Sequence, residues 1–178
     1  HGFGRVSLEF SIPSRGLIGF RSQFITDTKG AGIMNKLFDG YAPWFGRIPQ
    51  RNTGALISDR KGRVTTYACI NMVDRGELFV SVGTEVYDGM VIGERNKTND
   101  LALNSTREKK LSNMRSSGSD NTVTVRPPRA LSLDQSIEFI SEDELVEITP
   151  ISVRLRKMEL DQQKRGATQK KERLADQQ

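Results

Sequence analysis

A chain of 178 residues, 35% hydrophobic and 28% charged, has enough apolar material for one globular domain or two small ones, but no run of about 18 apolar residues that would make a spanning helix and no basic stretch leading into an apolar one as in a secretory signal. Its one histidine is His1 and its one cysteine is Cys69, too few for a Cys/His metal cluster, an internal disulfide or a Ser/His/Asp centre, so Cys69 is expected as a buried, inert thiol. The net charge of +5 comes in blocks: +2 over residues 1–43, zero over 44–94, +5 over 95–129, −6 over 130–149 and +4 over 150–178.

Residues 6–12 alternate, with Val6, Leu8, Phe10 and Ile12 on one face and Ser7, Glu9 and Ser11 on the other, the period of a half-buried strand. Pro13 ends it, and Ser14 is placed to cap a helix whose apolar stripe is Leu17, Ile18, Phe20, Phe24 and Ile25, with Arg15, Arg21 and Gln23 toward solvent. Lys29-Gly30 closes the helix, and residues 33–38 read as a second strand. Strand, helix and strand make half of a split βαβ, ferredoxin-like domain, whose other half is expected before His1. Residues 40–49 are rich in turn formers and hold Tyr41, Trp44 and Phe45, which are expected to pack at a domain junction rather than to stack on nucleotides.

Short strands are predicted over residues 54–58, 63–72, 77–82 and 90–95, divided by turns rich in Asp and Gly. That spacing suggests a small β-barrel-like, mostly antiparallel domain with one or two short helices. Residues 96–122 break the pattern as a long basic loop, residues 122–125 return to strand, and Pro127-Pro128 stop it. Ser132-Leu133-Asp134-Gln135 has the form of a capping box, opening a short helix with Leu133, Ile137 and Ile140 on one face. Residues 145–148 and 151–155 are the last strands, with Arg154 and Arg156 facing outward, and from Lys157 the composition is too polar to bury, as in frayed helix or disorder. The fold class is α+β: a half domain over residues 1–43, a β-rich domain over 44–157 and a polar tail over 158–178.

No GxxxxGK[ST] loop occurs, so GTP hydrolysis is not expected of this chain, and no cofactor or metal site is assigned. The adjacent carboxylates Glu142, Asp143 and Glu144 read as a solvated rim. The strongest local signal is residues 107–119, where Lys109, Lys110 and Arg115 can neutralise phosphates, Asn113 and Ser117 can reach sugar hydroxyls and base edges, and Met114 offers apolar surface to an unstacked base. A basic loop without a partner has the same composition. Arg95, Lys97, Arg126 and Arg129 flank it and tilt the reading toward a binding face, with Arg15 and Arg21 as further RNA-binding candidates.

The stretch IPSRGLIGFRSQFITDTKGAGIMNKLFDGY resembles the second half of the elongation-factor-G-like domain V of the BipA/TypA family of translational GTPases. NTGALISDRKGR, VDRGELFVSVGTEVYDGMVIGER, NDLALN, KKLSNMRSSGSD and DELVEITPISVRLRK resemble the C-terminal domain peculiar to that family. The resemblance implies a cytoplasmic, monomeric, ribosome-binding protein related in plan to elongation factor G and LepA, linked to ribosome assembly and to growth under stress and cold. GTP and Mg would belong to a G domain preceding His1. The implied partners are large-subunit rRNA near the peptidyl transferase centre and the acceptor end of tRNA, toward which residues 109–120 match the family's reaching loop; no membrane is implied. A second reading is a protein-interaction module whose acidic residues 142–147 meet a basic ribosomal protein. A stand-alone enzyme finds no convergent nucleophile, base or metal set.

Overall fold

The structure, a computed structural model, describes residue 4 and residues 6–46, 51–109 and 126–175. The chain divides into two compact units, His1–Gln50 and Arg51–Gln178.

In the first unit the expected single helix is broken in two. Ser14–Leu17 forms a 3-10 turn, Gly19 takes the left-handed conformation at φ 79°, and helix α1 runs over Phe20–Asp27. Glycine meets that φ without a Cβ clash, which lets the chain turn between the two pieces. Ser14 makes no capping bond; Pro13 occupies the cap position instead. The predicted closure holds, because Lys29 and Gly30 both have positive φ and the Gly30 N–H donates to the Ile25 carbonyl. Residues 6–12 and 33–38, read as strands, pair in no ladder. The pair of strands expected beside the helix is therefore not formed among the described residues, and Val6, Leu8, Phe10, Ile33, Leu37 and Phe38 are exposed.

The second unit is built on a six-stranded sheet of β1 (Ala55–Ser58), β3 (Gly76–Leu78), β5 (Met90–Arg95), β6 (Leu101–Leu103), β7 (Glu144–Ile148) and β8 (Val153–Lys157), while β2 (Gly62–Arg63) and β4 (Glu85–Val86) form a separate pair. The order in the sheet is β6-β1-β5-β8-β7, and β3 also pairs with β5. All pairings are antiparallel except β1 with β6. Among the described residues the sheet does not close on itself, and its mostly antiparallel strands with a few short helices are of the α+β class expected. One core cluster joins Leu56, Ile92, Met90 and Leu78 with Val64, Ala68, Cys69, Met72 and Val86; a second joins Ala55, Ile57, Val91 and Leu155 with Phe139.

The strand expected over residues 63–72 is β2 followed by helix α2, Thr66–Val73. Thr65 decides the matter: it is extended, and its side chain accepts from the Ala68 N–H as an N-cap. Ala68, Cys69 and Met72 then share one buried face, so tertiary burial overrides the strand preference of Thr, Tyr and Ile. Burial pushes the Cys69 thiol up, as befits an inert core group.

Helix α3, Leu133–Phe139, opens on the expected capping box of Ser132 and Gln135, but its phase differs. Phe139 is buried edge-on against Phe79, with ring centroids 5.0 Å apart, and beneath the Arg51 guanidinium. That anchor turns Ser136 inward and leaves Leu133 and Ile137 exposed. Beyond Lys157 the polar segment forms helix α4, Gln162–Ala175. Asp161 accepts from the Gln163 and Lys164 N–H groups, and the buried Arg165 donates to the Glu159 and Leu160 carbonyls.

Candidate nucleic-acid interface

Whether a cation can serve RNA depends first on what it is already bonded to, and unit two consumes many of its charges internally. Lys157 is 2% exposed, and its ammonium meets Asp100 at 2.5 Å, Asp143 at 2.8 Å and Glu144 at 2.9 Å. Burial works against its charge, but the three carboxylates outweigh that and hold its pKa above the ordinary lysine value. Glu144, fully buried, also takes a two-pronged bond from Arg51 at 2.9 and 3.0 Å. The acidic block after α3, read from sequence as a solvated rim, therefore spends Asp143 and Glu144 on the core. Glu147 is likewise engaged, accepting from the Tyr87 hydroxyl.

The predicted RNA-binding residues separate on the same test. Arg129 is tied to Glu77 and Glu94, each at 2.8 Å, over the Phe79 ring. Arg95 donates to the Asn99 side chain and to the Asn99 and Asp100 carbonyls. Arg15 lies 3.5 Å from the centre of the Trp44 ring and donates to the Gly46 carbonyl, within unit one. All three side chains already have partners within the fold. Trp44 has that contact, and Tyr41 meets Phe38 edge-on, both within unit one.

Arg21, Lys97, Lys109 and Arg126 have exposed side chains. Arg126 lines a shallow pocket of about 220 Å³ with Val73, Gly76, Asn96 and Pro127, and the Arg129 N–H donates to the Leu78 carbonyl, so Asn96 and residues 126–129 come together beside β3. Asn96 N–H donates to the Arg75 carbonyl, which brings exposed Arg75 to the same place; sequence reasoning passed over it as a turn residue. At the other end of α2, the Thr65 hydroxyl donates to the Arg107 carbonyl at 2.5 Å, and Arg107 lies 5.8 Å from the Tyr67 ring. Lys109 and Arg126 thus stand toward opposite ends of α2, an eight-residue helix about 12 Å long. Lys110, Asn113, Arg115 and Ser117, with the strand read over residues 122–125, lie outside the described residues. Among the described residues no group of His, Cys, Asp or Glu is arranged to hold a metal ion, and no helix is long and apolar enough to cross a membrane.

Fold and charge together define an α+β chain of two units, the second presenting exposed cations along a sheet edge and a capped helix. The family model described as the TypA/BipA C-terminal domain matches residues 53–162, and the one described as the elongation factor G C-terminus matches residues 2–52. The chain belongs to the TypA/BipA family. It is 44% identical over 176 residues to a Bacillus subtilis protein named large ribosomal subunit assembly factor BipA, covering 98% of this chain and 29% of that protein. Proteins of the same name from Salmonella typhimurium and Haemophilus influenzae are each 48% identical, over 92% and 88% of this chain and 27% and 26% of their own lengths. The chain thus spans under a third of these relatives.

Proposed function

We propose that this chain is the ribosome-docking end of a translational GTPase that assists large-subunit assembly, acting in the cytoplasm by contacting RNA and performing no GTP hydrolysis of its own. The observation that carries the reading is the family match joined to the sorting of charges: buried cations are neutralised, while Lys97, Lys109 and Arg126 remain exposed around the segment that begins after Lys109. Lys109, Lys110 and Arg115 would meet phosphates of large-subunit rRNA near the peptidyl transferase centre and the tRNA acceptor end, positioned by backbone contacts rather than base readout. Docking of the acidic block on a basic ribosomal protein is the weaker reading, because Asp143, Glu144 and Glu147 already have partners.

The test is co-sedimentation with purified large subunits across a salt series. Each phosphate contact adds roughly 0.7–0.9 to the slope of log K against log salt, so a Lys109→Ala, Lys110→Ala, Arg115→Ala variant should bind with a shallower slope. Unchanged affinity and slope would make these residues bystanders.

A further inference from the structure

Strands β7 and β8 present a second polar face that the reading above leaves unused. Their register sets Leu145 opposite Arg156 and Glu147 opposite Arg154, so these four side chains share one side of the hairpin. Val146, Leu155, Glu144 and Lys157 take the other side, that of the second core cluster and the buried charges. Arg154 and Arg156 are half-buried.

Most half-buried or buried cations of the unit are satisfied. Arg51, Arg129, Lys157 and Arg165 lie within 4.0 Å of a carboxylate, and Arg95 holds an amide and two carbonyls. Arg154 and Arg156 differ: among the described residues neither has a carboxylate within that distance. Among the described residues Arg154 donates only through Nε, to Ser152 at 3.1 Å, and Arg156 only to the carbonyl of its neighbour Lys157 at 3.3 Å. The natural partner of Arg154 is Glu147, directly across the ladder, and directly opposed unlike charges normally pair. Glu147 is held instead by the Tyr87 hydroxyl. A partly desolvated guanidinium with no carboxylate in direct contact is costly in the free protein, which favours an external anion beside it.

We propose that this face, with Arg154 and Arg156 as its paired phosphate clamps, is an additional docking surface for the backbone of folded ribosomal RNA, kept vacant by the Tyr87–Glu147 bond. Residues i and i+2 on a strand stand about 7 Å apart, so two planar guanidinium forks face the same way and can engage neighbouring phosphates, each in two-pronged fashion. The exposed Leu145 beside them offers apolar surface to a ribose or base. The inference rests on the RNA-contacting reading of the chain but concerns a face that shares no residue with the segment tested above.

The experiment measures binding of the whole chain to purified large subunits and, separately, to deproteinised large-subunit rRNA, over a salt series. Three variants are compared: Arg154→Gln with Arg156→Gln, Arg154→Lys with Arg156→Lys, and Tyr87→Phe. The Gln pair should lose about 1.4–1.8 from the salt slope on both probes. The Lys pair should keep most of the slope but bind more weakly, since lysine cannot make the forked contact. Tyr87→Phe should weaken binding without removing a cation, by releasing Glu147 to Arg154. Thermal melts accompany each variant, and the Lys pair with native melting but reduced affinity separates docking from folding. A Gln pair with parental affinity and slope, beside a parent that binds steeply, overturns this surface and leaves the proposed function standing. A loss seen with whole subunits but not with bare rRNA would assign the face to a ribosomal protein and overturn it as an RNA surface. A parent that binds neither probe overturns both readings.

Discussion

Replacing Lys157 with Met removes the charge that holds Asp100, Asp143 and Glu144 around a single nitrogen. Asp100 and Asp143 keep 20% and 56% of their side-chain surface exposed and can turn to water, whereas Glu144 has none. Removing one partner of a buried ion pair costs about 3–5 kcal/mol because the other charge stays desolvated. Glu144 retains its bond to Arg51, which places the loss at the lower end, about 3 kcal/mol. With a urea m-value of about 1.5–2 kcal/mol per molar, the unfolding midpoint of the second unit should fall by about 1.5–2 M. Far-UV circular dichroism follows that transition. Adding Glu144→Gln to Lys157→Met should cost less than the sum of the two single losses, because the stranded carboxylate is then neutral. A midpoint within about 0.3 M of the parent would mean that the cluster behaves as a solvated surface network, at about 0–1 kcal/mol, and would refute the reasoning.

Thr65→Ala should cost about 1 kcal/mol by removing the α2 cap and should release the Arg107 carbonyl; amide exchange at Ala68 should quicken, and unchanged exchange would count against the cap. Arg15→Ala should destabilise the first unit by about 1 kcal/mol and alter Trp44 emission, since the guanidinium leaves the ring face; identical emission spectra would argue that the stack does not form in solution. In alkali, Tyr87 is raised by burial and then by its Glu147 bond, and Lys157 is raised by carboxylates that outweigh burial. Both folded values exceed the unfolded ones near 10.0 and 10.5, so their contribution is complete below those values and is lost as pH rises through the folded ones. Thermal stability should hold from neutral pH to about 10 and then decline, less steeply for Tyr87→Phe, whereas an identical decline in that variant would remove Tyr87 from the account.

Where local signals and tertiary demands agree, the sequence was a good guide. The Ser132–Gln135 box, the glycine closure after α1, and the strands at β1, β5 and β7 all rest on rules that act within a few residues. The misreadings share a cause in distance along the chain. The run after Thr65 carries strand-forming residues, and only a sheet face waiting for Ala68, Cys69 and Met72 makes it a helix. The phase of α3 is set by Phe79 and Arg51, which no window around residue 139 contains. Of the candidate site, the exposed positions Lys97, Lys109 and Arg126 could be chosen from composition. That Arg15, Arg95 and Arg129 are already engaged could not, because their partners are fixed by the fold, as is the meeting of Arg75 with Asn96.

The β5–β8 pairing also bears on how the protein is made. Met90 and Val91 bond to Arg156 and Leu155, and among the described residues β7 reaches the rest of the sheet only through β8. Residues translated early therefore wait for partners translated much later, and contacts of such long separation are formed slowly. While the chain is still being synthesised, the early strands β1, β3 and β5 can assemble, but half of one β5 edge stays open, and Arg51 has no Glu144 to neutralise it. A nascent chain stopped before Val153 would therefore present an unpaired edge and stranded charges, the features by which chaperones and proteases recognise unfinished domains.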